Sequence, residues 1–536
     1  MDLLSDMATI YSQDGKTAVT TINRFDGGIS DDPREPSLNK GALVKHFDIF
    51  SNPFRLSPFR SSEADTSTSV SSTDLEQYDV TDFLLGLNGT LYGLGRKAAA
   101  NEPKVFSRAD PTTGNWTLPA TAQSTGTPVR INGCFIEWQS TLWLFSGTTN
   151  VSRWVIDGSF TDDYATLGVT ITSVAQGIVG ADNNLYLFYN NRVVRVNSSS
   201  TVSDNVAPAI PSDMRITSVC RYGSYLAIAC AYGTSNITAS VGRSQIFIWD
   251  MTSTTFSDVL DFGEGSLRVV GNIEGFVVGV TDKYLTSTLG LTRGSMVVRM
   301  WNGGVPRVVK EIMSNQTVTA DATAFPDTVT RFPRNVVIKN NKMYWVASVP
   351  FGLSTSTEST FHLGIWVFGR KNVSSDFAIA VDYVEEAVAT ANFFINSFGA
   401  AGDYWFINHS TGGLVTKTDD AANFTITSIY DTQIFNAGDA ASYKDLIDVT
   451  VTTVPLPTAG QVVMRYRIDQ QASYTTIFTN AVDNSISHTA INIESSGAAL
   501  PKLYKEIQFR IQSTGNAEIT GISFREDITG RKYDAT

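Results

Sequence analysis

Seven short apolar stretches, on average about 50 residues apart across residues 80–427, constrain this chain more than any other feature of it. They read TLYGLGR (90–96), TLWLFSG (141–147), NLYLFYN (184–190), YLAIACAY (225–232), GFVVGVT (275–281), KMYWVASV (342–349) and GDYWFINHS (402–410). Each follows a shorter strand and a turn. Five lead into a recognisable third strand: SRWVID (152–157), RVVRVN (192–197), QIFIWD (245–250), MVVRMWN (296–302) and LGIWVFG (363–369). A repeated unit of this kind, about 40 to 50 residues long, is the size of a four-stranded propeller blade. Alternation within the strands is partial, as expected where neighbouring blades cover both faces. The expected fold is therefore all-β, with a seven-bladed β-propeller over residues 79–427.

Polar turns support the hairpins. ADPTTGNW (Asp110 to Trp116), WDMTSTTF (Asp250 to Phe256) and the shorter DDAANF (Asp419 to Phe424) each start on an Asp that caps its own turn and close on an aromatic that re-enters the sheet. They resemble a degraded Asp-box of sialidase-like propellers, but hairpin turns converge on Asp, Gly and Asn in any case.

Two zones flank the repeats. Residues 1–78 read as an extended arm ending in a Ser/Thr linker at 66–73. Pro33, Pro36, Pro53 and Pro58 forbid helix, while Phe25, Ile29, Phe47, Ile49, Phe50, Phe54, Leu56 and Phe59 form a series of apolar anchors. In water, Phe25, Phe47, Phe50, Phe54 and Phe59 would expose several hundred Å2 of apolar surface, so the arm must dock. The expectation is that it lies partly on its own chain and partly on a neighbour, with Gly27 and Gly28 shaping the backbone and Arg34, Arg55 and Arg60 bonding across the contact. Residues 428–536 switch to period-two alternation, clearest in VVMRYRI and EIQFRIQ, which sets one face inward and one in water. An antiparallel β-sandwich of jelly-roll or galactose-binding-like size is expected there.

Composition narrows the function. Only 17% of the 536 residues are charged and the net charge is −12, with no basic run, which disfavours a dedicated nucleic-acid or anionic-membrane binder. Asp2 and Asp6 stand where a secretory signal would need positive charge, and no apolar window is long enough for a transmembrane helix, so the chain reads as soluble. Cys134, Cys220 and Cys230 are an odd set without a CxxC pair and read as buried free thiols from a reducing cytoplasm.

No chemistry-bearing motif stands out. His46, His362, His409 and His488 share no metal-ligand spacing, and phosphate loops and GxSxG are absent. The acids Asp82, Glu137, Asp182, Glu274 and Asp282 fall near inner strands, where a propeller glycosidase would need a carboxylate pair, although solvated edge carboxylates would look the same. The pairs Asp31-Asp32, Asp162-Asp163 and Asp419-Asp420 offer calcium or, more simply, turn capping. Trp116, Trp301 and Tyr164 offer sugar stacking or, more simply, hairpin closure. No cofactor or metal is expected.

The arm motif FDGGISDDPREPSLNKG, with Phe25, Gly27, Gly28, Ile29 and Ser30 followed by Asp32, Pro33 and Arg34, resembles the opening of tailed-bacteriophage virion proteins whose bodies are propeller-like, as in tail nozzle proteins of short-tailed phages. FNAGDAASYKDLIDVTV onward is similar to a module that ends such proteins. The resemblance implies a non-enzymatic structural component of the virion. It would be assembled in the host cytoplasm as a ring of six or twelve copies, through its arm and propeller sides, beside adaptor or fibre proteins. The alternatives are a virion protein that binds a receptor or host-surface glycan, or a propeller glycosidase or lyase acting on polysaccharide.

Overall fold

The computed structural model describes residues 7–12, 16–30, 32, 34, 39–65, 78–97, 103–111, 114–117, 135–146, 149–232, 243–286, 291–313, 318–319, 336–350, 361–384, 395–409, 415–418, 424–471, 473–491 and 500–529. Every regular element among them is a strand. None is a helix long and apolar enough to cross a membrane. The chain forms two compact units. One, the repeat unit, comprises Ser62–Pro350 and Ala387–Thr418; the other, the terminal unit, comprises Met1–Ser61, Phe351–Glu386 and Asp419–Thr536.

The repeat unit is a succession of up-and-down antiparallel sheets. The first is Tyr78–Leu85, Leu91–Lys97 and Pro103–Arg108; the second runs from Phe135–Trp138 through Thr141–Ser146 and Asn150–Val155 to Phe160–Thr166. Next come Val174–Val179 to Val202–Ser203, Met214–Tyr222 to Asp258–Glu264, and Ser266–Ile273 to Arg307–Met313. Val336–Lys339 then pairs with Lys342–Pro350. The last sheet is Ile395–Ala401, Tyr404–His409 and Val415–Thr418, and its outer place is taken by Ser62–Ala64 from ahead of the first sheet. First strands lie side by side: Phe135–Trp138 by Val174–Val179, that by Met214–Tyr222, that by Ser266–Ile273, that by Val336–Lys339, and Ile395–Ala401 by Tyr78–Leu85. Lys339 Nζ donates to the Gly402 carbonyl at 2.6 Å. A succession of antiparallel sheets whose first strands lie side by side is the arrangement of blades in a β-propeller.

All seven apolar stretches fall on the second strand of their sheets. Leu185–Tyr189 is buried throughout and Tyr225–Tyr232 everywhere but its ends, because sheets pack on both sides. The packing is aromatic: Tyr92 meets Trp154, Phe145 meets Tyr189, Tyr186 meets Trp249 and Tyr222 meets Trp301, with ring centroids 5.1–5.8 Å apart. Such pairs each add about 0.5–1.5 kcal/mol beyond their burial. The turns into second strands repeat one device. Gly86 and Gly180 each donate to the carbonyl four residues on, and a side chain two residues after each glycine, Asn88 or Asp182, bonds the hydroxyl of Tyr92 or Tyr186.

The terminal unit holds one sheet in the order Met7–Tyr11, Thr17–Ile22, Ile519–Thr529, Tyr443–Thr453, Ser487–Ile491. A second runs Phe361–Gly369, Ala378–Val384, Leu43–Lys45, Ser428–Asp431, Ile507–Thr514, Gln461–Ile468, Thr475–Asn480. Phe435 and Phe509 pack on Phe524 at 5.0 and 4.8 Å. The alternation read from sequence holds from Phe509 onward, where Phe509, Ile511 and Ser513 are buried and Arg510, Gln512 and Thr514 partly exposed, whereas Gln508, on the polar face, is buried as well.

The grouping of the chain differs from boundaries at 78/79 and 427/428. Arm residues as far as Ser61 belong with the C-terminal strands, and 351–386, counted by the sequence within the propeller, belong there too. The arm is not a segment laid along a surface but is woven into both sheets of the terminal unit. Phe25, Phe47 and Leu56 are wholly buried; Phe25 stands edge-on to Tyr430, and Leu56 bridges Ile519. The 66–73 linker and Cys134 lie outside the described residues.

Candidate functional site

The arm residues expected at an interface divide into two groups. Phe25, Gly27, Gly28, Phe47 and Phe50 are buried in the terminal unit. Gly28 has φ +69°, and a Cβ there would sit 2.4 Å from the Ile379 carbonyl oxygen, so only glycine fits. These five hold the chain's own core rather than offering a surface. Phe54 (59% exposed) and Arg60 reach solvent, and Phe59 is half-buried. Arg34 pairs with Glu506 at 3.1 Å and Arg55 with Glu518 at 2.7 Å, both within the chain.

The candidate acids are occupied locally. Glu137 accepts the Leu87 amide at 2.7 Å, tying the second sheet to the turn of the first. Asp182 caps its own turn through the Asn184 amide and the Tyr186 hydroxyl. Glu274 stands in the Ile273–Phe276 turn with φ +51°. The side chains of Asp82 and Asp282 lie outside the described set. Asp162 accepts from Ser152, and Asp163 from Asn150. Among the described residues no group of three His, Cys, Asp or Glu is placed to hold a metal ion. The aromatics proposed for sugar stacking are engaged in packing: Tyr164 donates to the Ser200 carbonyl and carries Arg153 on its ring at 4.0 Å, and Trp301 donates to the Gly304 carbonyl. Asp250 caps its turn as the sequence implies, accepting the Thr252 and Ser253 amides and the Ser253 hydroxyl, which draw its carboxyl down to about 2. His46 is fully buried between Phe59 and Tyr383, and burial, with Lys45 beside it, pushes its pKa down to about 3, so the ring is neutral.

Trp116 leads to a feature that sequence reasoning missed. Its indole donates to Asp65 at 2.8 Å, and Arg108 Nη1 donates to both Asp65 oxygens at 2.7 Å, with all three side chains buried. Asp65 directly follows the strand that completes the last sheet, and Arg108 ends the third strand of the first. The cluster is a clasp between the two ends of the repeat unit.

The most chemically equipped cluster lies in the terminal unit, on the polar face of the sheet containing Ser428–Asp431, Ile507–Thr514, Gln461–Ile468 and Thr475–Asn480, with Asp431 and Gln508 buried and Arg467 and Tyr474 partly exposed. Cross-strand register places Asp431, Arg510 and Arg465 in one row and Gln508 and Arg467 in the next. Arg510 makes a two-point contact with Asp431 at 2.7 and 2.8 Å. Tyr474 donates its hydroxyl to Asp431 and Gln508 at 3.1 and 3.2 Å, and Gln508 donates in turn to the Thr432 carbonyl at 2.7 Å. Arg467 donates Nε to Gln508 Oε1 at 2.7 Å. The guanidinium carbons of Arg510 and Arg467 lie 4.1 and 5.0 Å from the centre of the Tyr474 ring. Burial, then the Asp431 charge, pushes the Tyr474 hydroxyl far above its ordinary pKa, so it remains a donor. Planar donors and acceptors held rigid around an aromatic ring are what a polar ligand needs for paired hydrogen bonds. The sequence held one signal for this platform: VVMRYRI and EIQFRIQ alternate so that the arginines and Gln508 share a face.

The chain matches no protein-family model and no curated protein. Several solved structures are similar to it. The Dos1 propeller has 10% identity over 67% of this chain and 94% of its own, with a TM-score of 0.40. The WD40 domain of Neurospora crassa Pan2 has 10% identity over 69% and 96%, with a TM-score of 0.39. An exo-β-1,3-galactanase from Phanerochaete chrysosporium has 11% identity over 87% and 99%, with a TM-score of 0.30. Glycoside hydrolases thus stand among the similar structures, and on that finding the sequence expectation of a non-enzyme is corrected and set aside.

Proposed function

We propose that this chain is a β-propeller protein directed at carbohydrate, and that the Arg467–Tyr474–Gln508–Arg510 platform is where it holds the glycan. The observation that carries the reading is the platform itself: two guanidiniums, a carboxylate and a primary amide locked in one plane-rich network on the polar face of a sheet, with Asp431 and Gln508 buried beneath and Arg467 and Tyr474 partly exposed. Sugars present adjacent hydroxyls at fixed spacing, which such planar side chains engage in pairs. The test is affinity electrophoresis of the purified chain through gels containing a panel of polysaccharides, with reducing-end release measured in parallel to detect hydrolysis. Retardation by at least one polymer, abolished in Tyr474→Ala but not in a surface control such as Asp403→Asn, is expected. Unretarded migration through every gel would defeat the reading.

A second reading, a ring-forming part of a tailed-phage particle, is favoured by one surface. Cross-strand register aligns Ile10, Val19, Arg525, Asp448 and Ile491 across the outward face of the five-stranded sheet, with Ile10 65% and Ile491 46% exposed. Such a row suits a second copy of the chain. Sedimentation of the purified chain as a six- or twelve-copy ring supports it, and a monomer at every concentration counts against it.

The architecture is proposed in finer terms as well. Seven blades close the repeat array, supported by the first-strand contacts and by the Ser62–Ala64 strand that joins the chain's early residues to its last sheet. The C-terminal residues form a β-sandwich, supported by the Phe435–Phe509–Phe524 packing between the two sheets of the terminal unit.

A further inference from the structure

The two arginines on Tyr474 are a natural experiment in one site. Arg510 and Arg467 both rest against the same ring, and both are anchored through Nε by a hydrogen bond of 2.7 Å. Arg510 donates to a carboxylate, Asp431, which also takes its Nη2 at 2.8 Å. Arg467 donates to a neutral amide oxygen, Gln508 Oε1, and among the described residues no carboxylate is paired with it. Gln508 is itself fixed at its other end by the Thr432 carbonyl and is buried, so it orients Arg467 without neutralising it. Arg465 shares the face, directly across the strand pair from Arg510.

We infer that Arg467 is a preorganised receptor for a carboxylate, and hence that the platform selects acidic glycans, those carrying a uronic or other sugar acid. The inference rests on the carbohydrate reading above and narrows its ligand class. The physical case is entropy and charge together. A guanidinium already held against an aromatic ring by a buried amide loses little further freedom on binding. A charge-assisted, two-point contact with a carboxylate is stronger than any neutral hydrogen bond to a hydroxyl. The Asp431–Arg510 pair displays the contact in the adjacent register row, with a carboxylate of the chain's own. Gln508 and Tyr474 are positioning residues in this scheme; Arg467 is the group that meets the ligand.

The experiment compares polygalacturonate with the same polymer after carboxyl reduction, by calorimetry and by affinity electrophoresis at fixed ionic strength. The chain is expected to bind the acidic polymer at least about tenfold more tightly than the reduced one, and Arg467→Gln should remove that preference. Arg467→Lys should restore only part of it, because an ammonium cannot present a fork. An unchanged melting temperature in Arg467→Gln separates loss of recognition from loss of fold. Equal binding of both polymers, or binding of neutral glycans alone, overturns the acidic preference while leaving the carbohydrate reading standing. Binding of no glycan at all overturns that reading and this one with it. Retention of the preference in Arg467→Gln, or equally tight binding of dextran sulfate by wild type and variant, shows general polyelectrolyte attraction and overturns the role of Arg467.

Discussion

Asp65 in the repeat unit and Glu526 in the terminal unit are both buried carboxylates brought near a cation, yet their surroundings differ. Asp65 is met at both oxygens by Arg108 and again by the Trp116 indole. Glu526 accepts one bond, from the Tyr504 hydroxyl at 2.7 Å, and its second oxygen has no partner among the described residues. Its potential partner, Lys444, directs its ammonium to the carbonyls of Asp439, Ser442 and Lys505 at 2.6–3.0 Å. Burial raises the pKa of Glu526 against the pull of Tyr504 and Lys444, and burial lowers that of Lys444. A buried acid is stabilising when geometry satisfies every lone pair it brings inside, and a liability when its cation is committed elsewhere.

The comparison breaks most visibly at Arg108. Arg108→Met strands the Asp65 charge in the interior and should cost about 3–5 kcal/mol in urea unfolding; a cost below about 1 kcal/mol would mean that the clasp is ornamental. A steric insult in the terminal unit checks that charge, rather than looser packing, separates the two regions. Gly28→Ala forces a side chain onto the Ile379 carbonyl at positive φ, and a loss of about 3 kcal/mol is expected. Near-neutral behaviour would show that the terminal unit yields where the structure has it tight.

Glu526→Gln should act in the opposite direction to Arg108→Met, stabilising the protein by about 1 kcal/mol at neutral pH because an amide carries no charge to bury. The pH dependence carries the sign. A carboxyl whose folded pKa is raised holds its proton more tightly in the folded state, so its contribution is fully present below the ordinary value of 4.5 and is lost as pH rises through the folded value. Wild type and Glu526→Gln should therefore melt alike in acid and diverge as pH rises. Divergence that grows toward acid would reverse the assignment. The smallest effect concerns the thiols: burial pushes Cys220 up to about 12 and Cys230 higher still, so in a Cys134→Ser background the native protein should resist iodoacetamide at pH 8. Rapid labelling would show the interior to be open.

Much of the local structure was legible. NLYLFYN and YLAIACAY announced buried second strands because continuous apolar runs mark strands covered on both faces, and Asp250 announced its turn because a short carboxylate bonds the amides just ahead of it. VVMRYRI and EIQFRIQ showed which side chains would share a face, but not that Asp431, 79 residues before Arg510, would complete the platform. The arm was half legible. Its phenylalanines demanded a dock, whereas nothing local distinguished a neighbouring subunit from the chain's own core.

What the sequence determined by itself was period and punctuation: strands of period two, turns at Gly, Asn and Asp, and an arm that could not remain in water. These follow from sterics and solvation among residues a few positions apart. Which edges meet was decided only by the tertiary structure. Ser62–Ala64 pairs with Val415–Thr418, Leu43–Lys45 pairs with Ser428–Asp431, and Asp65 finds Arg108. A strand edge offers the same amides and carbonyls to any partner, so its choice rests on the side chains packed behind it and on closure across hundreds of residues.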